Sequence, residues 1–117
     1  MKQVYIIVDK SDANFRKPFV AIAKNEAIAK QKVASMQHTM KPQVKHLVSY
    51  EAVDVSDYDM NKNSIYIVYD KTDANIKKRF MSMHFDLANV DKEIKALRSK
   101  TKPHAQKLIY TQMEKLI

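Results

Sequence analysis

The chain contains no glycine, no cysteine and no tryptophan. At ordinary usage about eight glycines would be expected in a chain of this size. Their absence excludes phosphate loops of the Walker and Rossmann kind, which need a residue without Cβ where backbone approaches phosphate. It also removes Asn-Gly hairpin turns and glycine helix C-caps. Without cysteine there is no disulfide framework, no thiolate nucleophile and no cysteine-ligated zinc. Long hydrophobic runs are missing too, so no membrane span is expected. The N-terminal stretch is too short in its apolar part for a secretory signal. A cytoplasmic location is the expectation.

What is present is a folded composition: 117 residues, 45 % hydrophobic, with 21 basic against 13 acidic side chains and a net charge of +8. That length is one domain's worth of core. The positive charge is almost all lysine, with arginine only at Arg16, Arg79 and Arg98. Lysine is a point charge, whereas arginine offers the planar fork that reads guanine. If the partner is nucleic acid, phosphate contact is expected over base reading. High lysine and low glycine are also what AT-rich coding produces, so composition alone does not set function.

The chain is an internal duplication, the feature to seek first in any sequence. Val4-Tyr5-Ile6-Ile7-Val8-Asp9-Lys10-Ser11-Asp12-Ala13-Asn14 returns as Ile65-Tyr66-Ile67-Val68-Tyr69-Asp70-Lys71-Thr72-Asp73-Ala74-Asn75, at an offset of 61. The offset carries on without a gap through Lys17 and Lys78, Phe19 and Phe80, Ala27 and Ala88, Lys41-Pro42 and Lys102-Pro103, and Leu47 and Leu108. Two copies result, 1–56 and 62–117, joined by a short acidic linker, 57–61. Nine basic and five acidic residues give the first copy +4; twelve and six give the second +6. The basic character therefore belongs to the repeated unit and not to a tail.

Each copy predicts β-β-α-β. Val4–Val8 is a continuous, β-branched apolar run and reads as a strand buried on both faces. Pro18–Ala23 reads as a second strand, with proline where a missing N–H is tolerated. Asn25 is a helix N-cap, and Ala29, Val33, Met36 and Met40 form one apolar stripe. Lys41-Pro42 ends the helix, because the residue before proline is pushed out of the α region. Val44–Val55 reads as the third strand. In the second copy the same reading gives strands at Ile65–Tyr69, Phe80–Phe85 and Ala105–Met113. Its helix is capped by Asp86 or Asn89, with Val90, Ile94 and Leu97 inward. The fold class is α+β, with helices on one side of antiparallel or mixed sheet. A unit this small buries little core alone, so the copies are expected to pack with pseudo-two-fold symmetry. A ferredoxin-like grouping of the middle elements is the alternative.

The most repeated stretch, with Asp9, Asp12 and Asn14 in one copy and Asp70, Asp73 and Asn75 in the other, reads as a turn. Its Asp and Asn side chains would take backbone N–H groups in place of the missing glycines. As a recognition loop it would be presented twice. It is a poor calcium loop, lacking glycine at the sixth position and glutamate at the twelfth. Basic residues flank it: Lys10, Arg16 and Lys17, and then Lys71, Lys77, Lys78 and Arg79. Further along the second copy lie Lys95, Arg98 and Lys102, part of which offset a helix dipole. Such clusters suit a phosphate backbone, or equally a solvated strand edge.

Tyr5, Tyr66, Tyr50, Tyr69 and Tyr110 fall in strands. Aromatics there can stack bases, and they also simply pack a sheet face, which is the reading adopted here. His38, His46, His84 and His104 show no metal-ligand spacing and read as surface or sheet residues. Glu93-Ile94-Lys95 has the Glu-x-Lys form of some nucleases, but on a helix instead of a strand. No nucleophile triad or carboxylate pair is legible by spacing. The expectation is a non-enzymatic protein with no cofactor and no metal. It would contact nucleic acid phosphates with low specificity through Lys-rich surfaces. The alternatives are a protein-interaction module or inhibitor, viral or from a mobile element, that docks on a host protein, and an assembly protein that forms homo-oligomers.

Overall fold

The computed structural model describes residues 2–11, 19–72 and 82–117. The order of elements repeats. β1 (Gln3–Asp9), β2 (Ala21–Ala23), α1 (Glu26–His38) and β3 (Val48–Asp54) are followed by β4 (Ser64–Asp70), β5 (Ser82–His84), α2 (Leu87–Ser99) and β6 (Ile109–Lys115). Two three-stranded antiparallel sheets result, ordered β2-β1-β3 and β5-β4-β6, each with one helix. The chain is an α+β protein built twice from one β-β-α-β unit.

The apolar strands take the centres of their sheets. β1 is flanked on both sides: Ile6 pairs with Ile22 of β2 and with Glu51 of β3. It is buried on both faces, as its unbroken apolar run predicts. Val4, Ile6 and Val8 point one way and Ile7 the other, and all four are buried. On the helix side Ile7, Ala23 and Ala29 form a core joined by Tyr5, Ala21, Ile28, Val33, Met36 and Tyr50. Burying one such isoleucine contributes about 1.5–3 kcal/mol. In β4 Ile65, Ile67 and Val68 are equally buried.

Both helices start where the sequence places a cap. Asn25 accepts from the N–H of Ile28 at 2.9 Å, and Asp86 from that of Ala88 at 3.0 Å. Asn89 therefore lies inside α2 and is not its cap. Helix α1 ends at His38, so Met40 falls beyond the stripe to which its spacing assigns it.

The third strand of each copy is shorter than its apolar pattern implies. Pro42–Leu47 and Pro103–Leu108 are 3₁₀ helices, and extended backbone begins only at Val48 and Ile109. Proline favours the first helical position, where its missing N–H costs nothing. The same prolines that stop the α-helices therefore start the 3₁₀ turns. β2 spans Ala21–Ala23, with Phe19 and Val20 before it, and β5 spans Ser82–His84; Pro18, Phe80 and Met81 of the expected second strands lie outside the described residues.

The contacts divide the chain into two compact units, Met1–Ser56 with Lys115–Ile117, and Asp57–Glu114. Residues at the end of the second copy thus complete the first unit. Leu116 bridges Ile22 in parallel, Ile117 donates its N–H to the carbonyl of Ile22 at 2.9 Å, and Lys24 donates to that of Ile117 at 3.1 Å. The outer edge of β2 is satisfied by backbone in this way. The equivalent N–H in the second copy, that of Phe85, is taken by the carboxylate of Asp57 at 2.8 Å. Asp57 is thus part of the second unit and not a solvated linker residue. Among the described residues, no helix is long and apolar enough to cross a membrane.

Candidate functional site

The turn after the first strand of each unit is fixed by an aspartate. Asp9 Oδ1 accepts from both the backbone N–H and the hydroxyl of Ser11, and Asp70 Oδ1 from those of Thr72. These side-chain turns stand where glycine would otherwise be usual. Asp12, Asn14, Asp73 and Asn75, and the basic residues Arg16, Lys17, Lys77, Lys78 and Arg79, lie outside the described residues.

Lys10 and Lys71 follow these aspartates and are exposed. Each is anchored by its backbone to the end of a 3₁₀ helix. Lys10 N–H donates to the carbonyl of Leu47 at 2.9 Å, and Lys71 N–H to that of Leu108 at 3.0 Å. Arg98 reaches the neighbouring carbonyl, with Nη2 donating to Ile109 at 2.8 Å. The Lys71 backbone and the Arg98 side chain thus bind consecutive carbonyls, next in sequence to Lys107 of the same 3₁₀ turn. In the first copy Gln37 occupies the position of Arg98, and its Nε2 donates to the carbonyls of Lys45 at 2.9 Å and Val48 at 3.4 Å. Lys95 is exposed one helical turn before Arg98. Lys102 precedes the opposite end of the 3₁₀ helix, about 10–12 Å away at that helix's rise of ≈ 2 Å per residue. The structure therefore ties the Lys71 backbone and the Arg98 side chain to the same end of the 3₁₀ helix and leaves Lys102 at the other.

Aromatics join this corner in the second copy alone. The rings of Tyr69 and Tyr110 stack with centroids 5.2 Å apart and 27° between planes. The Lys71 ammonium lies over the Tyr110 ring, 5.5 Å from its centroid. Tyr69 is 6 % exposed. Burial, the nearby Glu114 carboxylate and Tyr110 push its hydroxyl pKa up to about 12. The first copy has Val8 and Ser49 at these paired positions. Its own tyrosines sit on the helix face, where Tyr5 and Tyr50 meet edge to face at 6.0 Å and Tyr50 donates to Glu26 at 3.3 Å.

A second constellation lies between β5 and α2. His84 Nε2 is 2.9 Å from Glu93 Oε2 and 3.1 Å from Ser82 Oγ, and Ser82 also donates to Glu93. His84 Nδ1 is buried without a hydrogen bond, 3.9 Å from Asp57 Oδ2. The oxygens of Asp57 accept from the N–H of Phe85, the N–H of Asp86 at 2.9 Å and Asn89 Nδ2 at 3.0 Å. Burial raises the pKa of this carboxyl, but the Asn89 and backbone hydrogen bonds and the nearby His84 outweigh it, so the net shift is downward.

Ser82, His84 and Asp57 are the residue types of a nucleophile triad, but Glu93 changes the proton inventory. A carboxylate only accepts, so the protons of both Ser82 and Nε2 are directed at Glu93, and Nε2 offers no lone pair to the hydroxyl. The arrangement acts as a polar clamp between strand and helix. The two carboxylates also sit on opposite ring nitrogens, so they cannot converge with His84 on one ion. Among the described residues no group of three or more His, Asp or Glu is placed to hold a metal.

Sequence spacing did not reveal this clamp, although the repeat offset does. It aligns Ser82, His84 and Glu93 with Ala21, Ala23 and Lys32, so an apolar floor in one copy has become polar in the other. Glu93-Ile94-Lys95 lies on α2, away from the strand context its nuclease-like form would need.

Comparison of the chain with protein-family models, with curated proteins and with solved structures finds no match.

Proposed function

We propose that the protein is a non-enzymatic nucleic-acid-binding protein that contacts phosphates through the basic corner of each copy. The observation that carries this reading is exposed Lys71, held by its backbone on the carbonyl of Leu108 at the end of the 3₁₀ helix that carries exposed Lys107. The corresponding corner of the first copy carries Lys10, with His46 at the position of Lys107. Exposed lysines held on a backbone-anchored turn suit phosphate oxygens, which supply affinity without sequence information. The net charge of +8, spread over both copies, supports long-range attraction to a polyanion.

The test is a mobility-shift titration with duplex and single-stranded DNA and RNA at stepped salt. The expected result is binding that weakens log-linearly with salt. The double variant Lys71→Glu, Lys107→Glu should lower the slope by about two phosphate contacts' worth, roughly 0.7–0.9 each. Absence of binding at low salt, or binding indifferent to salt, rules the reading out.

A further inference from the structure

We propose that the second copy carries a base-stacking site for single-stranded nucleic acid, formed by Tyr110 on its Tyr69 support with Lys71 as the phosphate ligand. This inference rests on the nucleic-acid reading above and narrows it to a strand with unpaired bases. Tyr69 is buried and braces one face of Tyr110. A centroid spacing of 5.2 Å at 27° leaves no room for an ammonium between the rings, so Lys71 rests on the outward face of Tyr110, 5.5 Å from its centroid.

Tyr110 is half-buried, and a cation resting on such a partly exposed ring is held weakly and gives way to a stronger partner. A nucleotide offers two at once. Its base takes the ring face that Lys71 leaves, and its phosphate takes the ammonium, already next to that face. Glu114 is close enough to act on Tyr69.

The first copy does not duplicate this site. Val8 and Ser49 replace the tyrosine pair, and Lys10 has no such ring to rest on. Among the described residues, the stacking platform is in the second copy. Duplex DNA, with its bases already stacked, can use the corners but not the platform.

Fluorescence anisotropy separates the two readings. The probes are labelled oligothymidylate and an abasic strand of equal length and equal phosphate count. Wild type is expected to bind the thymidylate at least about tenfold more tightly, the size of one base–aromatic stack. Tyr110→Leu should abolish that difference and Tyr110→Phe should keep it, while Lys71→Gln weakens both strands alike. Equal binding of the two strands by wild type overturns the stacking site and leaves the phosphate reading standing. No binding of either strand at low salt overturns both. If Tyr110→Leu does not fold, the comparison of strands on wild type and on Tyr110→Phe decides alone.

Discussion

Arg98 and Gln37, equivalent residues of the two copies, make the same connection: each ties the last turn of its helix to the carbonyl that opens the following strand, Ile109 in one case and Val48 in the other. Part of what looks like a phosphate-seeking arginine is therefore an inherited structural bond. Arg98→Gln should leave stability nearly unchanged, because the first copy already uses glutamine there. Arg98→Ala should cost about 1–2 kcal/mol. Urea denaturation of both variants measures the contrast.

The clamp of His84, Ser82 and Glu93 predicts strong coupling. Glu93→Ala removes the acceptor that both partners share and leaves Ser82 and His84 only each other to bond, for a loss of about 1–2 kcal/mol. The double variant His84→Ala, Glu93→Ala should be less destabilised than the sum of the single ones, with a coupling of about 1 kcal/mol or more. An additive cycle would show that the clamp contributes no pairwise energy.

Asp57 predicts an acid limit to stability. Its carboxyl is held below the ordinary value of 3.8 in the folded protein. Its contribution is therefore fully present above that value and is lost as pH falls through the folded-state pKa, because the unfolded chain takes up the proton first. Asp57→Asn should flatten the stability profile below about pH 4. It should also lower stability at neutral pH, since the amide cannot accept on both sides as the carboxylate does. Thermal unfolding across the acid range reads both effects.

Tyr69 sets the alkaline counterpart. Its hydroxyl titrates at about 12 in the folded state against 10.0 unperturbed. The neutral form is the one that is packed, so its contribution is complete below the unfolded value. It is lost as pH rises between the two, where the unfolded chain gives up the proton more readily. In a spectrophotometric titration a late component should appear near 12, and Tyr69→Phe should remove it. A titration with no late component would contradict the packed hydroxyl.

The repeat made much of the fold legible. Matched apolar runs fixed β1 and β4, while Asn25 and Asp86 marked the helix starts by chemistry that needs no tertiary context. The 3₁₀ helices were not legible, because Val44 and Leu47 read equally well as strand residues and nothing local weighs their apolar pattern against Pro42. The site was less readable than the fold. Lys71 could be named from sequence, but its anchoring on Leu108 and the stack of Tyr69 on Tyr110 both depend on how distant strands come together. The clamp needed a different comparison, of one copy with the other, since His84 and Glu93 lie nine residues apart on elements whose packing alone makes them neighbours.

Residues Lys115–Ile117 belong to the first unit although the whole second unit precedes them in the chain. During synthesis, therefore, the first copy can pair its own three strands as it emerges but cannot cover the edge of β2. It must wait with the edge of β2 open until Leu116 arrives to meet Ile22, a pairing between distant points of the sequence that forms late and slowly. The second unit has no such wait, since Asp57 is made ahead of the Phe85 amide it serves. The copy translated first is thus the one completed last.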